Sequence, residues 1–182
     1  MYKIAILGPE STGKTELAKA LADHYKSPWV PEFAREYVEK LTEHYTFTDV
    51  CNIARKQIEL EMQYENEKIG VDFVFFDTDL IITKVWFEYC YREIPDFVSN
   101  RLKQQFFNLY LLCEPDLPWK PDPVREHGND RQFFFDWYKR ETELSGVPCV
   151  IINGIGNKRV DNAIIAINQA FSNKNKLQNK KL

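Results

Sequence analysis

The chain has 182 residues, a hydrophobic content of 44% and a formal net charge of −3. That length suits one domain with one core, and the mildly acidic balance offers no basic footprint for nucleic acid. No apolar run is long enough to span a bilayer, and Met1-Tyr2-Lys3 leads straight into a strand pattern, so neither a membrane span nor a signal peptide is expected. Cys51, Cys90, Cys113 and Cys149 lack metal-ligand spacing and read as reduced, buried thiols of a cytoplasmic protein. The scattered His24, His44 and His127 are not read as metal ligands.

The first predicted strand, Tyr2–Leu7, is followed by Gly8-Pro9-Glu10-Ser11-Thr12-Gly13-Lys14-Thr15. Its G-x-x-x-x-G-K-[ST] spacing, between a strand and the helical pattern Glu16–Tyr25, is a complete phosphate-binding P-loop. Gly8 and Gly13 let the backbone curl so that its N–H groups face inward, and the following helix adds its positive end. Glu10, Ser11 and Thr12 belong to the same cradle. Lys14 reaches the β- and γ-phosphates, and the Thr15 hydroxyl is a Mg²⁺ ligand. The loop thus implies ATP with Mg²⁺ and leaves open where the phosphate goes.

Four further apolar runs read as strands: Trp29–Val30, Phe73–Phe76, Leu109–Cys113 and Pro148–Ile152. Each is short and almost continuously apolar, as in parallel sheets covered on both faces. Helical patterns separate them at 48–69, 80–92, 129–144 and Asp161–Phe171. Within 80–92, Ile82, Val85, Trp86 and Tyr89 recur at helical spacing, and Phe133-Phe134-Phe135 is taken as core. Alternating β and α segments predict an α/β fold with a doubly wound, five-stranded parallel sheet of the P-loop kinase type and a lid segment. One domain is expected over residues 1–171, with a lid at about 115–131 and a disordered, lysine-rich tail over 172–182.

In such sheets the chemistry lies just beyond the carboxyl ends of the strands. After the second strand comes Pro31-Glu32-Phe33-Ala34-Arg35-Glu36. Glu32 is placed to orient an acceptor hydroxyl and take its proton late in transfer. Arg35, three residues on, either binds the acceptor or clamps Glu32. The competing reading is a helix start with a dipole-favoured acid and an internal ion pair. After the third strand, Asp77-Thr78-Asp79 follows four apolar residues in a Walker-B-like pattern. Asp77 is expected at the metal, directly or through water. Asp79 is either a helix cap or a contact to the acceptor's hydroxyls.

Beyond the fourth strand, Glu114 to Arg125 contains four prolines and must be a long loop. Arg125 and Arg131 are lid candidates that close over phosphates. Trp119 either stacks on a ring or packs the loop onto the core. The turn from Asn153 to Arg159 is expected beside the nucleotide's base by position alone.

The strings GPESTGKTELAKALA, PEFAREYVE, FFDTD and PWKPDPVR together make the chain, over roughly residues 2 to 170, similar to the ribosylnicotinamide kinase domain of bacterial NadR-type proteins. The resemblance implies ATP-dependent phosphorylation of the 5′-hydroxyl of nicotinamide riboside to nicotinamide mononucleotide, as in NAD salvage. It implies that Lys14 and Thr15 serve ATP–Mg²⁺, that Asp77 serves the metal, and that Arg125 and Arg131 serve the lid. Glu32, Arg35 and Asp79 would serve the riboside, and Trp119, Asp122 and Trp29 would lie near it. Glu32, Glu36, Asp79 and Asp122 could make a negative pocket for the pyridinium cation, with an aromatic face adding cation–π attraction. NadR-type proteins carry a preceding nucleotidyltransferase domain and in some cases a DNA-binding one. With a chain that starts at the P-loop strand, both activities are expected to be absent. Two other readings stay open: a kinase for another nucleoside or nucleotide, and a P-loop ATPase regulatory module acting through a partner. An acceptor carboxylate, a lid and arginines favour a kinase.

Overall fold

In the computed structural model the described residues are 1–65, 70–122, 125–126 and 128–178, with side chains described through Ser172. The expected helix end at 66–69, Pro123 and Val124 of the proline-rich segment, His127 of the expected lid, and residues 179–182 of the tail lie outside the described residues.

Side-chain alternation along the first strand decides the layering. Strands β1 (Tyr2–Leu7), β2 (Trp29–Val30), β3 (Phe73–Asp77), β4 (Leu109–Cys113) and β5 (Cys149–Ile152) form one parallel sheet in the order β2-β3-β1-β4-β5. On one face, Ile4, Ile6, Phe75, Leu109 and Leu111 pack against α1 (Lys14–Tyr25) and α7 (Asn157–Gln178), chiefly through Leu17, Leu21, Ala163 and Ile167. On the other, Ala5, Leu7, Val74, Phe76 and Leu112 meet α4 (Leu80–Tyr91) and α6 (Arg131–Ser145) through Ile81, Val85, Phe134 and Phe135. Period-two strands buried on both faces are what the near-continuous apolar runs predict. A further cluster of Val50, Ala54, Leu80, Phe87 and Val98 packs α3 (Phe47–Gln63) and α5 (Asp96–Leu102) onto α4. The remaining helix, α2 (Phe33–Glu39), follows β2.

Several boundaries differ from expectation for local reasons. Pro148 has no N–H to give, so β5 begins at Cys149 while the Pro148 carbonyl accepts from the Tyr110 N–H at 2.8 Å. α3 starts at Phe47 because Thr46 and Asp49 form a reciprocal capping box. α5 was not anticipated; its only sequence signals are Pro95 at the N-cap and Asp96 in the first turn. α7 begins at Asn157, four residues before the expected Asp161, and continues past Phe171 to Gln178. Of the four thiols, all free, Cys51 and Cys113 are buried, whereas Cys90 is exposed on the outer side of α4, contrary to the buried reading.

Register positions the chemistry. Ile6 of β1 stands opposite Asp77 of β3, so the end of β3 lies beside the start of the P-loop. β1 has β3 on one side and β4 on the other, so segments leaving their carboxyl ends diverge to opposite sides of a crevice.

Candidate functional site

The P-loop backbone is held open by contacts no larger residue could share. Gly8 has φ +147°, and a Cβ there would come within 2.8 Å of the Cys113 carbonyl oxygen and 2.9 Å of Thr12 Oγ1. Thr12 is fully buried and its hydroxyl donates to the Pro9 carbonyl at 2.8 Å, fixing the loop from within. Gly13 caps α1 in the left-handed region, with Leu117 of the loop after β4 packed over it. Lys14 Nζ donates to the Pro9 carbonyl at 3.1 Å, which folds the ammonium back over the loop.

Thr15 Oγ1 donates to Asp77 Oδ2 at 2.6 Å. Asp77 is 2% exposed, and its Oδ1 is buried with no hydrogen-bond partner. Burial pushes the Asp77 carboxyl up, opposed by the Lys14 ammonium and the Thr15 hydroxyl. An oxygen pair of this kind, with one lone carboxylate oxygen left over, fits a hard divalent cation such as Mg²⁺.

Glu32 is the N-cap residue of α2 but makes no side-chain capping bond. Its carboxyl is pushed up by burial, held back by Lys14 and raised again by Asp77. Glu32 borders both a cleft of about 320 Å³ that runs over the P-loop and a smaller hollow that reaches Asp77. Gly8 through Thr15, Arg35 and Arg125 also border the main cleft. Much of the remaining lining is aromatic: Tyr45, Trp86, Tyr89, Phe134 and Tyr138. Tyr45 meets Trp86 edge-on at 4.6 Å between centroids, and Tyr89 meets Phe134 at 5.1 Å.

The loop after β4 is tied across the cleft at several points. Ser11 Oγ and the Lys120 backbone exchange hydrogen bonds at 3.3 and 3.2 Å. The Glu126 N–H donates to Glu10 Oε1 at 3.2 Å, and the Glu126 carboxylate accepts from the Tyr45 hydroxyl at 3.0 Å. Asp122 pairs with Arg35.

Six expected site residues are placed elsewhere. Trp29 does not border the cleft: alternation in β2 turns its ring toward α1, where the Lys19 ammonium lies 5.1 Å from the ring centroid. Asp79 is 1% exposed and caps α4, accepting from the Ile81 N–H at 3.1 Å; burial raises its carboxyl to about 6. Trp119 packs within the loop, under Arg125 and against Gly128. Arg131 donates to the Leu117 carbonyl at 2.8 Å and braces the loop base. Glu36 is exposed and paired with Lys40 on the next turn of α2. Asp122 is engaged with arginines rather than facing the cleft. The turn after β5 is held by Arg159, which donates to the carbonyls of Ile152, Gly154 and Glu114.

Residues not expected at the site are Tyr45, Trp86, Tyr89, Tyr138 and Glu126, and of the three phenylalanines read as core, Phe134 also borders the cleft while Phe133 is exposed. Ile82, Trp86 and Tyr89 share one stripe of α4 and Ile81 and Val85 another. Both stripes are apolar at helical spacing, so periodicity could not separate the cleft face from the core face.

A family model described as an AAA domain matches residues 3–159. The chain belongs to this AAA-domain family. The AAA-domain chain is 31% identical over 141 residues to the trifunctional NAD biosynthesis/regulator protein NadR of Salmonella typhimurium, covering 72% of this chain and 33% of that relative. The match thus spans about a third of that relative's length. Among solved structures, a NadR protein in complex with NR superposes with a TM-score of 0.74 at 25% identity, over 93% of this chain and 51% of that one. A thymidylate kinase from Ehrlichia chaffeensis superposes at 0.62 with 13% identity, over 91% and 98%, which shows the shared fold.

Proposed function

We propose that this AAA-domain chain transfers the γ-phosphoryl group of ATP to the 5′-hydroxyl of a nucleoside, with nicotinamide riboside as the preferred acceptor and nicotinamide mononucleotide as the product. One observation carries this reading: a single cleft brings the P-loop, Glu32 and an aromatic lining together, and Asp77, paired with Thr15, stands in the adjoining hollow that Glu32 also borders. The likeness to a NadR structure obtained with NR supports the same acceptor. Residues 1–171 would act as one kinase domain with its lid at about 115–131. Four free thiols are in keeping with a cytoplasmic setting. No helix among the described residues is long and apolar enough to cross a membrane.

Inward N–H groups of the P-loop and the Lys14 ammonium hold the β- and γ-phosphates of ATP. Thr15 and Asp77 would hold Mg²⁺, which spreads the charge of the phosphate oxygens when bound. The aromatic wall takes the base of the acceptor; a pyridinium ring gains from the electron-rich faces of Trp86 and Tyr45. Glu32 accepts the proton of the acceptor hydroxyl as the new O–P bond forms and the bond from the γ-phosphorus to ADP breaks. Trp29, Asp79, Trp119 and Arg131 support this arrangement from outside the cleft.

The test is an acceptor panel: purified protein, ATP and Mg²⁺ with nicotinamide riboside, nicotinic acid riboside, thymidine and other nucleosides. The expected result is a phosphorylated riboside, with Lys14→Ala at least about 100-fold slower because the transition-state charge loses its clamp. Phosphorylation of another nucleoside alone would redirect the acceptor assignment. Phosphate release with no acceptor product would overturn the kinase reading in favour of an ATPase.

A further inference from the structure

Two arginines border the cleft, Arg35 on α2 and Arg125 on the loop after β4, and both reach one carboxylate. Paired guanidinium groups facing a substrate cleft are the usual means of holding a phosphate monoester. Here neither is left to do so. One carboxylate oxygen, Asp122 Oδ2, accepts from Arg35 Nη1 at 3.0 Å and from Arg35 Nη2, and lies 3.8 Å from Arg125 Nη2. Arg35 has a second acidic neighbour, Glu39 at 3.5 Å. Arg125 spends Nη1 on the Lys120 carbonyl at 2.7 Å. The side chain of Asp122 is 20% exposed and those of Arg35 and Arg125 are 35% and 25% exposed, so the triad is partly shielded from water.

Resting on the kinase reading, we propose that Asp122 is a specificity-determining residue that occupies the arginine pair as an internal anion and so makes the acceptor site refuse 5′-monophosphates. A phosphate monoester entering beside Glu32 would need to displace Asp122 or bear its repulsion. A neutral 5′-hydroxyl meets no such charge. The same device hastens product release: transfer puts a new phosphate on the acceptor, and that phosphate competes with Asp122 for Arg35 and Arg125 rather than finding them free. Asp122 therefore sets which side of the reaction the site holds tightly, without touching the reacting atoms.

The experiment is equilibrium titration of nicotinamide mononucleotide, with thymidine monophosphate as a second probe, into the wild-type protein and three variants. Asp122→Asn is expected to bind the monophosphates about tenfold or more tightly, the size of one charge-assisted contact regained. Asp122→Glu keeps the charge and is expected to restore wild-type weakness. Adding Arg35→Ala to Asp122→Asn is expected to erase the gain, an outcome that mere loosening of the loop would not produce. Unchanged or weaker monophosphate binding in Asp122→Asn, or a gain that survives Arg35→Ala, overturns the proposal. Because the readout is binding, it stands apart from the acceptor panel: no turnover on any nucleoside would sink the kinase reading while leaving the charge test able to succeed or fail.

Discussion

Glu32 shows how much a single carboxyl owes to its neighbours. At the first turn of α2 it could have been an ordinary dipole-favoured acid. Instead it makes no capping bond, faces the cleft, and is pushed up by burial with Lys14 and Asp77 nearby. A group held this way is a stronger proton acceptor once ionised than a surface carboxylate. Glu32→Gln is expected to lower kcat by about 100-fold or more while changing ATP affinity little, since general-base assistance is worth roughly that much. Steady-state rates and ATP titration on the same preparation check it. A fall in ATP affinity equal to the fall in kcat would return Glu32 to the role of a helix-start residue. Asp79 is the contrasting case. Two residues after Asp77 and identical in type, it turns inward and satisfies the α4 N-terminus.

The helices divide the labour. α1 receives the P-loop, and α2 carries Glu32 and Arg35 at its start. α4 presents Ile81 and Val85 to the sheet while Ile82, Trp86 and Tyr89 line the cleft. Trp86→Ala is therefore expected to raise the acceptor KM about tenfold, the worth of an aromatic contact with a cationic ring, with the ATP KM nearly unchanged. Equal rises in both would mean that the variant has disturbed the whole cleft. α3 depends on its own start signal. Its N-cap Thr46 accepts from the Asp49 N–H while Asp49 accepts from the Thr46 N–H at 2.8 Å. Thr46→Ala is expected to cost about 1 kcal/mol, a fall of roughly 2–4 °C in Tm for a chain of this size, with kcat retained. Thermal unfolding followed by circular dichroism measures it.

At the level of the molecule, the loop after β4 borders the cleft and joins parts far apart in the chain. Ser11 meets Lys120, Glu10 meets Glu126, and Arg35 meets Asp122. These ties draw the P-loop, α2 and the loop after β4 together around one cleft; on the kinase reading, that arrangement favours transfer to a hydroxyl over water.

The strands, their parallel arrangement and the P-loop were legible in the amino-acid order because each depends on neighbours along the chain. Apolar runs record burial on both faces, and G-x-x-x-x-G-K-T encodes a backbone shape between a strand and a helix. Asp77 was legible for the same reason, as the residue that ends an apolar strand. The aromatic side of the cleft was not. Trp86 and Val85 look alike in a helical pattern, and Trp29 and Glu32 look equally near the end of β2. Which stripe of α4 faces the cleft, and which way β2 turns its indole, depend on how the layers stack. The partners of Asp122 were hidden too, because Arg35 lies 87 positions away and only folding brings the two charges together. Local backbone chemistry is written in short stretches of sequence; the shape and charge of an enclosure arise from contacts between segments that no local pattern records.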